Sequence, residues 1–236
     1  MSAASISAVY FDAGDTLVRP SSGHWYVPPQ FDDILESHNM PVPDRSVLHA
    51  ALETCHSFLD ANHQIQTEDE EADQFLTYYR LVFDHLGDRN ADESLLRSLA
   101  HDMVYNDEKF AFFPDVRACL ERLSSASVSI GILSNTWPSL ERVFKNAGLY
   151  DIFDAFVVSS RVGCFKPDPR IYAAAVDHMG VAPDKTLFVD DSKENLAGGV
   201  EQGFRPLLIS RYGDCDQSTY PCIGELSELP IRVAHS

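Results

Sequence analysis

Positive charge is scarce in this chain. Its 236 residues carry 18 Lys and Arg side chains against 36 Asp and Glu, a formal net charge of −18 at pH 7. Because that charge repels phosphate backbones and anionic lipids, the sequence predicts neither a nucleic-acid partner nor a membrane partner. The negative net charge does not exclude an anionic substrate, because a local cation or a bound metal can make the electrostatic potential of a site positive.

Cysteine is also scarce. The five residues contain no Cys-x-x-Cys pair and are widely spaced: Cys55, Cys119, Cys164, Cys215 and Cys222. An odd number at such spacing favours reduced thiols over a disulfide framework or a zinc site. The sequence shows no signal-peptide pattern and no apolar stretch that approaches the length of a membrane span. We therefore expect a soluble, cytoplasmic protein with reduced cysteines.

An apolar run near the N-terminus ends in a carboxylate. Residues 8–11 predict a buried strand, Asp12 follows them, and Gly14 favours a turn directly afterwards. Open α/β sheets bind ligands beyond the carboxyl ends of their strands. A carboxylate at that edge can serve as a nucleophile, as a metal ligand, or as both.

The hydrophobic periodicity changes along the chain. Apolar residues recur at helical spacing in the stretches 47–59, 75–86 and 95–104, and the acidic run 68–73 suits the start of a helix. From about residue 112, helices alternate with short apolar strands at 128–133, 155–158, 186–189 and 206–209. Pro114 is expected in the first turn of a helix, and Asn90 with Glu93 resembles a helix cap.

This pattern predicts an α/β fold with two domains. We expect a Rossmann-like, doubly wound, mainly parallel sheet formed by residues 1–19 and 111–236. Residues 20–110 are expected to form a smaller, all-helical domain inserted after the first strand.

Polar residues follow the predicted strands at several places. Asp12, Ser134, Lys166 and the pair Asp190-Asp191 all fall at strand ends or in the loops beyond them. Each has an ordinary alternative, because such residues often cap helices, form turns or lie in surface loops. Together they provide a nucleophile, a hydroxyl donor, a cation and an acid pair. Their hard oxygen ligands favour Mg²⁺ over zinc.

Four segments in this order resemble the motifs of the haloacid dehalogenase (HAD) superfamily. They are the stretches 9–17 (VYFDAGDTL), 132–135 (ILSN), 163–172 (GCFKPDPRIY) and 187–195 (LFVDDSKEN). The similarity covers the chain outside residues 20–110, and the insertion lies where this superfamily carries a helical cap domain.

The resemblance implies a phosphatase mechanism. Asp12 would attack phosphorus to form an aspartyl-phosphate. Mg²⁺ would be bound by Asp12, the Gly14 carbonyl and Asp191, with Asp190 either a ligand or a residue behind the ligands. Ser134 and Asn135 would bind the phosphoryl group, and Lys166 would neutralise charge on both the nucleophile and the phosphoryl group. The expected partner is a small phosphorylated metabolite.

Gly14 departs from the phosphatase pattern. Phosphatases of the family carry an aspartate there, which protonates the leaving group and then activates water, an effect worth about 10²–10⁴-fold. Asp15 could replace it, although its position favours a turn-stabilising role over a catalytic one. His24 of the helical insertion could also supply the proton, or could pack with its aromatic neighbours.

Two other functions are compatible with these residues. A 2-haloacid dehalogenase of the same superfamily would also use Asp12 but no metal, and it would lack the acid pair Asp190-Asp191. Those two carboxylates would then face Asp12 without a cation, which is costly. A catalytically degenerate member could instead bind a phosphometabolite or act as an interaction module.

Overall fold

The computed structural model describes residues 6–87, 91–213, 215 and 218–229. The described strands are β1 (Ala8–Phe11), β2 (Val18–Pro20), β3 (Phe110–Phe112), β4 (Ser129–Ser134), β5 (Ala155–Val158), β6 (Thr186–Asp190), β7 (Arg205–Ile209) and β8 (Cys222–Ile223). The α-helices are α1 (Phe31–Ser37), α2 (Arg45–Ala61), α3 (Glu68–His85), α4 (Glu93–Tyr105), α5 (Val116–Ser125), α6 (Ser139–Asn146), α7 (Ser159–Val162), α8 (Pro169–Met179) and α9 (Lys193–Glu201).

The chain forms two compact units. Within the described residues, the core unit contains residues 6–19, 112–136 and those from 140 onward, and the helical unit contains 20–111 and 137–139. The sequence placed the insertion at 20–110, so the structure differs by Ala111 and by the short segment Trp137–Ser139. No helix in the described part of the chain is long and apolar enough to cross a membrane.

The core unit is built on a six-stranded sheet with the order β5-β4-β1-β6-β7-β8. Every pair of neighbouring strands in it is parallel. This confirms the predicted doubly wound α/β fold. The chain adds β4 and β5 on one side of β1 and then crosses to add β6, β7 and β8 on the other. The carboxyl ends of β1, β4 and β6 therefore meet at the switch point where such sheets bind ligands.

The four residues of β1 are buried, as expected for a central strand covered on both faces. Close packing across the sheet also explains a glycine in β4. A Cβ added at Gly131 would lie 2.3 Å from Cε1 of Tyr10, so the Tyr10 ring occupies the space that a side chain would need. The Tyr10 hydroxyl then donates to the Ala175 carbonyl of α8 at 2.7 Å, which fixes that helix on the sheet.

The helical unit has an apolar core of its own. Its buried residues come mainly from one face each of α2, α3 and α4, as the three periodic stretches predicted. Thr67 and Glu70 form a capping box at the start of α3, and four acidic residues occupy its first turn. The expected acidic helix start is therefore present, but it is not wholly solvated, because Glu71 is buried.

A buried charged cluster lies inside this unit. Lys109 Nζ lies 3.7 Å from Oε1 of Glu71, and both side chains are almost inaccessible. Ser139 Oγ accepts from Lys109 at 2.6 Å and donates to Glu71 at 2.6 Å. The cluster holds the segment Trp137–Ser139 among the helices, which accounts for its place in the helical unit.

Two helix starts differ from the expectation. Pro114 lies outside α5, which begins at Val116 after the N-cap residue Asp115. The N-cap of α4 is Asp92, whose side chain accepts from the Leu95 amide at 2.9 Å. The predicted cap residue Asn90 lies outside the described residues.

The prediction of five reduced cysteines is wrong for two of them. Cys215 and Cys222 form a disulfide with a Cα–Cα separation of 5.5 Å. Cys55, Cys119 and Cys164 are free. The bridge joins β8 to a residue between β7 and β8. The sequence spacing does not reveal it, because that connection folds back only when β8 pairs with β7.

Candidate active site

A lysine joins two carboxylates at the carboxyl edge of the sheet. Lys166 Nζ donates to Oδ1 of Asp12 at 2.6 Å and to Oδ2 of Asp190 at 2.6 Å. It also donates to the Leu133 carbonyl at 2.9 Å. Burial alone would lower the pKa of Lys166, but the two carboxylates outweigh it and raise the pKa above its usual value. Lys166 is therefore a cation at neutral pH.

The register of the sheet brings these residues together. Phe11 of β1 pairs with Val189 of β6, so the next residues, Asp12 and Asp190, lie side by side. On the other flank Phe11 pairs with Ile132 of β4, and Ser134 two residues later reaches the same place. Ser134 Oγ donates to Asp12 Oδ1 at 2.9 Å.

Both bonds to Asp12 converge on one of its oxygens. Lys166 and Ser134 contact Oδ1, and within the described part of the chain Oδ2 has no hydrogen-bond partner. The side chain is 9% exposed. A carboxylate held rigidly through one oxygen presents the other to a bound substrate or metal.

The main chain around Lys166 is positioned by Asn135. The Asn135 side chain accepts from the Lys166 amide at 2.7 Å and donates to its carbonyl at 3.2 Å. These contacts use the side-chain oxygen and one of the two N–H groups of Nδ2, so Asn135 orients the main chain of Lys166 and keeps one N–H for a ligand. The phosphate-binding role expected for Asn135 stays a prediction. Helix α9 packs against the same loop, because a Cβ at Gly198 would lie 2.6 Å from Cβ of Pro167.

The adjacent aspartates of the fourth motif have different environments. Asp190 is fully buried, and its oxygens accept from the Ser192 amide at 2.7 Å, from Asn195 Nδ2 at 3.1 Å and from Lys166. Burial raises the pKa of Asp190 to about 6 against the opposing effect of Lys166. Asn195, which sequence reasoning gave no role, is thus part of the site. Its position in the first turn of α9 was the one available signal.

Asp191 lies at the exposed rim and makes no hydrogen bond or ion pair with another described residue. The pKa of Asp191 is raised to about 7. Partial loss of water around the carboxylate is the main cause, and the negative charges of Asp12 and Asp190 add to it. A carboxylate among like charges with no protein cation of its own is the arrangement that a bound metal cation stabilises.

The turn after Asp12 is tightly closed. The Ala13 carbonyl accepts from the Leu17 amide at 2.8 Å and the Val18 amide at 2.9 Å. The left-handed residue of the turn is Asp15, with φ of 47°; aspartate tolerates this conformation better than most residues. Gly14 makes no hydrogen bond to a described residue through its own amide or carbonyl, so the carbonyl is available to a ligand.

The two acid/base candidates lie in different units. Asp15 belongs to the core unit, and its charge contributes to the raised pKa of Asp191. His24 belongs to the helical unit, where its ring stacks on His49 with centroids 4.4 Å apart and its Nε2 lies 3.7 Å from Glu53. Burial, and then His49, lower the pKa of His24 against the effect of Glu53. These contacts agree with the packing alternative for His24.

No group of three or more His, Cys, Asp or Glu side chains in the described ranges is arranged to hold a metal ion. The candidate ligands described above are two side-chain carboxylates, from Asp12 and Asp191, and one main-chain carbonyl, from Gly14. The core unit is thus an α/β domain with a carboxylate-based site at the carboxyl edge of its sheet.

Comparison with known families identifies this domain. The model of the haloacid dehalogenase-like hydrolases matches residues 6–203. The chain therefore belongs to this family of hydrolases, and the predicted superfamily membership is confirmed.

Its curated relatives differ in activity. The chain is 31% identical over 153 residues to (S)-2-haloacid dehalogenase 4A of Burkholderia cepacia, covering 64% of this chain and 63% of that protein. It is 33% identical over 144 residues to a phosphatase of Mycobacterium tuberculosis, covering 59% and 65%. The matched region thus spans just under two thirds of these two relatives. A glyceraldehyde 3-phosphate phosphatase of Methanopyrus kandleri is 28% identical, over 87% of this chain and 84% of its own length.

Solved structures agree on the fold. A dehalogenase crystal structure covers 98% of this chain and 99% of its own with a TM-score of 0.68 at 23% identity. The HAD hydrolase YfnB of Bacillus subtilis, bound to magnesium, covers 95% and 97% with a TM-score of 0.69 at 16% identity. At these identities the likeness establishes the architecture alone.

Proposed function

We propose that this protein is a Mg²⁺-dependent phosphatase that hydrolyses small phosphate monoesters through an aspartyl-phosphate on Asp12. The observation that carries the proposal is the pair Asp190-Asp191. One member is buried against Lys166, and the other lies at the rim beside two like charges, without an ion pair to a described residue. A small phosphorylated metabolite is the proposed substrate.

The donor set suits magnesium. The Asp12 carboxylate, the Gly14 carbonyl and the Asp191 carboxylate provide hard oxygen ligands, and a Mg²⁺ site completes such a partial set with water and substrate oxygens. Bound there, the metal would offset the repulsion between carboxylates and phosphate and stabilise the charge of the transition state. The oxygens of Asp190 already accept hydrogen bonds from protein donors. We therefore assign Asp190 the role of holding Lys166 and not that of a metal ligand.

The side chains of the chain itself then divide the remaining work. Asp12 Oδ2 forms the bond to phosphorus while the bond to the ester oxygen breaks and the alcohol leaves with a proton. Lys166 stabilises the negative charge shared by the nucleophile and the phosphoryl oxygens. The Ser134 hydroxyl, which donates to Asp12 Oδ1 in the structure, turns its single proton to the phosphoryl group when substrate binds. Water then cleaves the aspartyl-phosphate and regenerates Asp12.

The rival activity is 2-haloacid dehalogenation, which several relatives perform. It shares the nucleophile, the serine and the lysine. The feature that favours phosphate chemistry is the net charge of the site, because three carboxylates face one lysine. A metal-free site for an anionic haloacid would gather a fourth carboxylate there without a second cation.

Protonation of the leaving group needs a donor, because Gly14 has no side chain that could provide the proton. Asp15 is our first candidate because it lies in the same turn and its charge reaches Asp191. His24 is the second. We predict that Asp15→Asn lowers kcat more for alkyl phosphates than for p-nitrophenyl phosphate, whose leaving group needs no proton. His24→Gln serves as the parallel variant, and equal rates for both variants and wild type would remove both assignments.

The test is a parallel assay of two chemistries. Phosphomonoester hydrolysis is measured with Mg²⁺ and with EDTA, and chloride release from 2-chloropropionate is measured under both conditions. We expect phosphate release that requires Mg²⁺ and disappears in Asp12→Asn. Halide release that persists in EDTA would overturn the proposal in favour of a dehalogenase. Phosphate binding without turnover across a broad panel would favour a binding module.

A further inference from the structure

An arginine from the far end of the core sequence holds the turn that follows Asp12. Arg211, just beyond β7, donates to the main-chain carbonyl of Thr16 from Nη2 at 2.7 Å and from Nε at 3.2 Å. The Arg211 side chain is 5% exposed. Because water scarcely reaches the guanidinium, these bonds are worth more than exposed ones of the same geometry.

The guanidinium is itself held in place from two sides. Asp115 accepts from Nη1 at 2.7 Å and from Nη2 at 3.0 Å, a two-point pairing that fixes the plane of the Arg211 fork. The Phe113 ring lies 4.2 Å from the guanidinium carbon. Asp115 also accepts from the Leu226 amide at 2.7 Å. Arg211 therefore has little freedom to move away from Thr16.

Asp115 is suited to remain charged in this arrangement. Burial works to raise its pKa, but the hydrogen bonds from Arg211 and from the Leu226 amide outweigh burial and lower the pKa below its usual value. The pair thus persists as an ion pair across the neutral range.

The turn has a physical need for this support. Thr16 has no exposed surface, so its carbonyl would be buried without a partner if Arg211 were absent, at a cost of about 1–3 kcal/mol. Asp15 occupies a left-handed conformation, which aspartate tolerates but does not prefer. The internal bonds to the Ala13 carbonyl close the turn, and the bonds from Arg211 fix its far end.

We propose that Arg211, oriented by Asp115, is a positioning residue that sets the Gly14 carbonyl relative to the Asp12 carboxylate. Both belong to the turn that Arg211 anchors at Thr16. The catalytic consequence rests on the proposed phosphatase function, whereas the structural part does not.

Three variants test the positioning role. Arg211→Met removes the guanidinium, and Arg211→Lys keeps a donor but loses the two-point pairing with Asp115. Asp115→Asn keeps the guanidinium but removes the charged partner that orients it. Arg117→Met is the matched control, because Arg117 also donates to a main-chain carbonyl of the core unit, that of Ala147 at 2.7 Å, but lies on the exposed face of α5.

Hydrogen exchange provides a readout that needs no activity. In Arg211→Met we expect the amides of Leu17 and Val18 to exchange at least about 10-fold faster, while the amides of β4, which report global opening, change much less. Arg117→Met should leave both sets unchanged. Equal acceleration of the turn and of β4, or no acceleration of the turn, would overturn the proposal.

Kinetics provide the second readout. A misplaced nucleophile and metal ligand lower kcat, so we expect about a 10–100-fold loss in Arg211→Met with KM changed less than about 3-fold. The Mg²⁺ concentration for half-maximal rate should rise, and Arg211→Lys should recover part of kcat. Unchanged kcat in Arg211→Met would contradict the role. If wild type hydrolyses no phosphomonoester, the proposed function fails, and hydrogen exchange alone decides for or against Arg211.

Discussion

Lys166 Nζ lies 2.6 Å from Oδ2 of Asp190, and neither side chain has any exposed surface. The same nitrogen lies 2.6 Å from Oδ1 of Asp12, so one buried cation serves two carboxylates. An ion pair of this kind costs a great deal to break, about 3–5 kcal/mol when one partner is removed, because the other is left charged without a counterion.

Lys166→Met should therefore reduce both stability and activity. We expect the free energy of unfolding to fall by about 3 kcal/mol and kcat for a phosphomonoester to fall by about 10²–10³-fold or more. Chemical denaturation and steady-state kinetics measure the two effects. Lys145→Met, which removes a half-exposed lysine on α6, is the control and should change neither by much.

A double variant separates the two roles of Lys166. Adding Asp190→Asn to Lys166→Met removes one of the stranded charges, so part of the lost stability should return while kcat stays low. Recovery of turnover in the double variant would show that Lys166 acts only by balancing Asp190, and not by stabilising the transition state.

The neighbouring aspartates should respond differently to the same substitution. Asp190→Asn should lower stability and kcat because Lys166, Ser192 and Asn195 all donate to this carboxylate. Asp191→Asn should leave the free energy of unfolding unchanged or slightly higher, because it removes a repelling charge. Its main effect should be on metal binding, raising the Mg²⁺ concentration for half-maximal rate by about 10-fold or more. If both variants altered the Mg²⁺ requirement equally, the distinct roles would be wrong.

The sequence carried enough information to place the candidate site residues on the sheet. Asp12, Ser134 and Asp190 follow apolar runs whose length and position match β1, β4 and β6, and parallel strands bring their carboxyl ends to one edge. The resemblance of four ordered segments to the family motifs then predicted that these residues form one site. Local pattern was sufficient because each residue is fixed by the strand that precedes it.

The supporting contacts could not be predicted in the same way. Arg211 contacts Thr16 across 195 positions of sequence, and the Asn135 side chain contacts the Lys166 main chain across 31. The segment Trp137–Ser139 belongs to the helical unit because Glu71 and Lys109 bind it there. Such contacts depend on tertiary packing, which leaves no periodic trace in the sequence.

A buried histidine should make the helical unit sensitive to acid. His63 is 5% exposed, and burial lowers its pKa to about 4. The unfolded chain binds a proton to this ring near pH 6.5 whereas the folded chain resists it, so stability is present above pH 6.5 and is lost as the pH falls towards 4. The shift corresponds to as much as about 3 kcal/mol across that window.

His63→Gln tests this linkage directly. The variant cannot take up the proton, so its free energy of unfolding should fall less steeply between pH 6.5 and 4 than that of wild type. His178→Gln is the control, because His178 lies on an exposed part of α8. Parallel pH profiles for wild type and His63→Gln would assign the acid sensitivity to other groups.

The disulfide between Cys215 and Cys222 predicts a thiol count. Unfolded but unreduced protein should react with three equivalents of a thiol reagent, and reduction should raise the number to five, since the other three cysteines are free. Closing so short a loop contributes about 2–3 kcal/mol by restricting the unfolded chain.

Cys222→Ser should therefore lower the free energy of unfolding under oxidising conditions, and the difference from wild type should disappear once wild type is reduced. Cys55→Ser, which removes a partly exposed free thiol, should behave as wild type under both conditions. Five reactive thiols before reduction would show that the bridge does not form under those conditions and would restore the interpretation of five reduced cysteines.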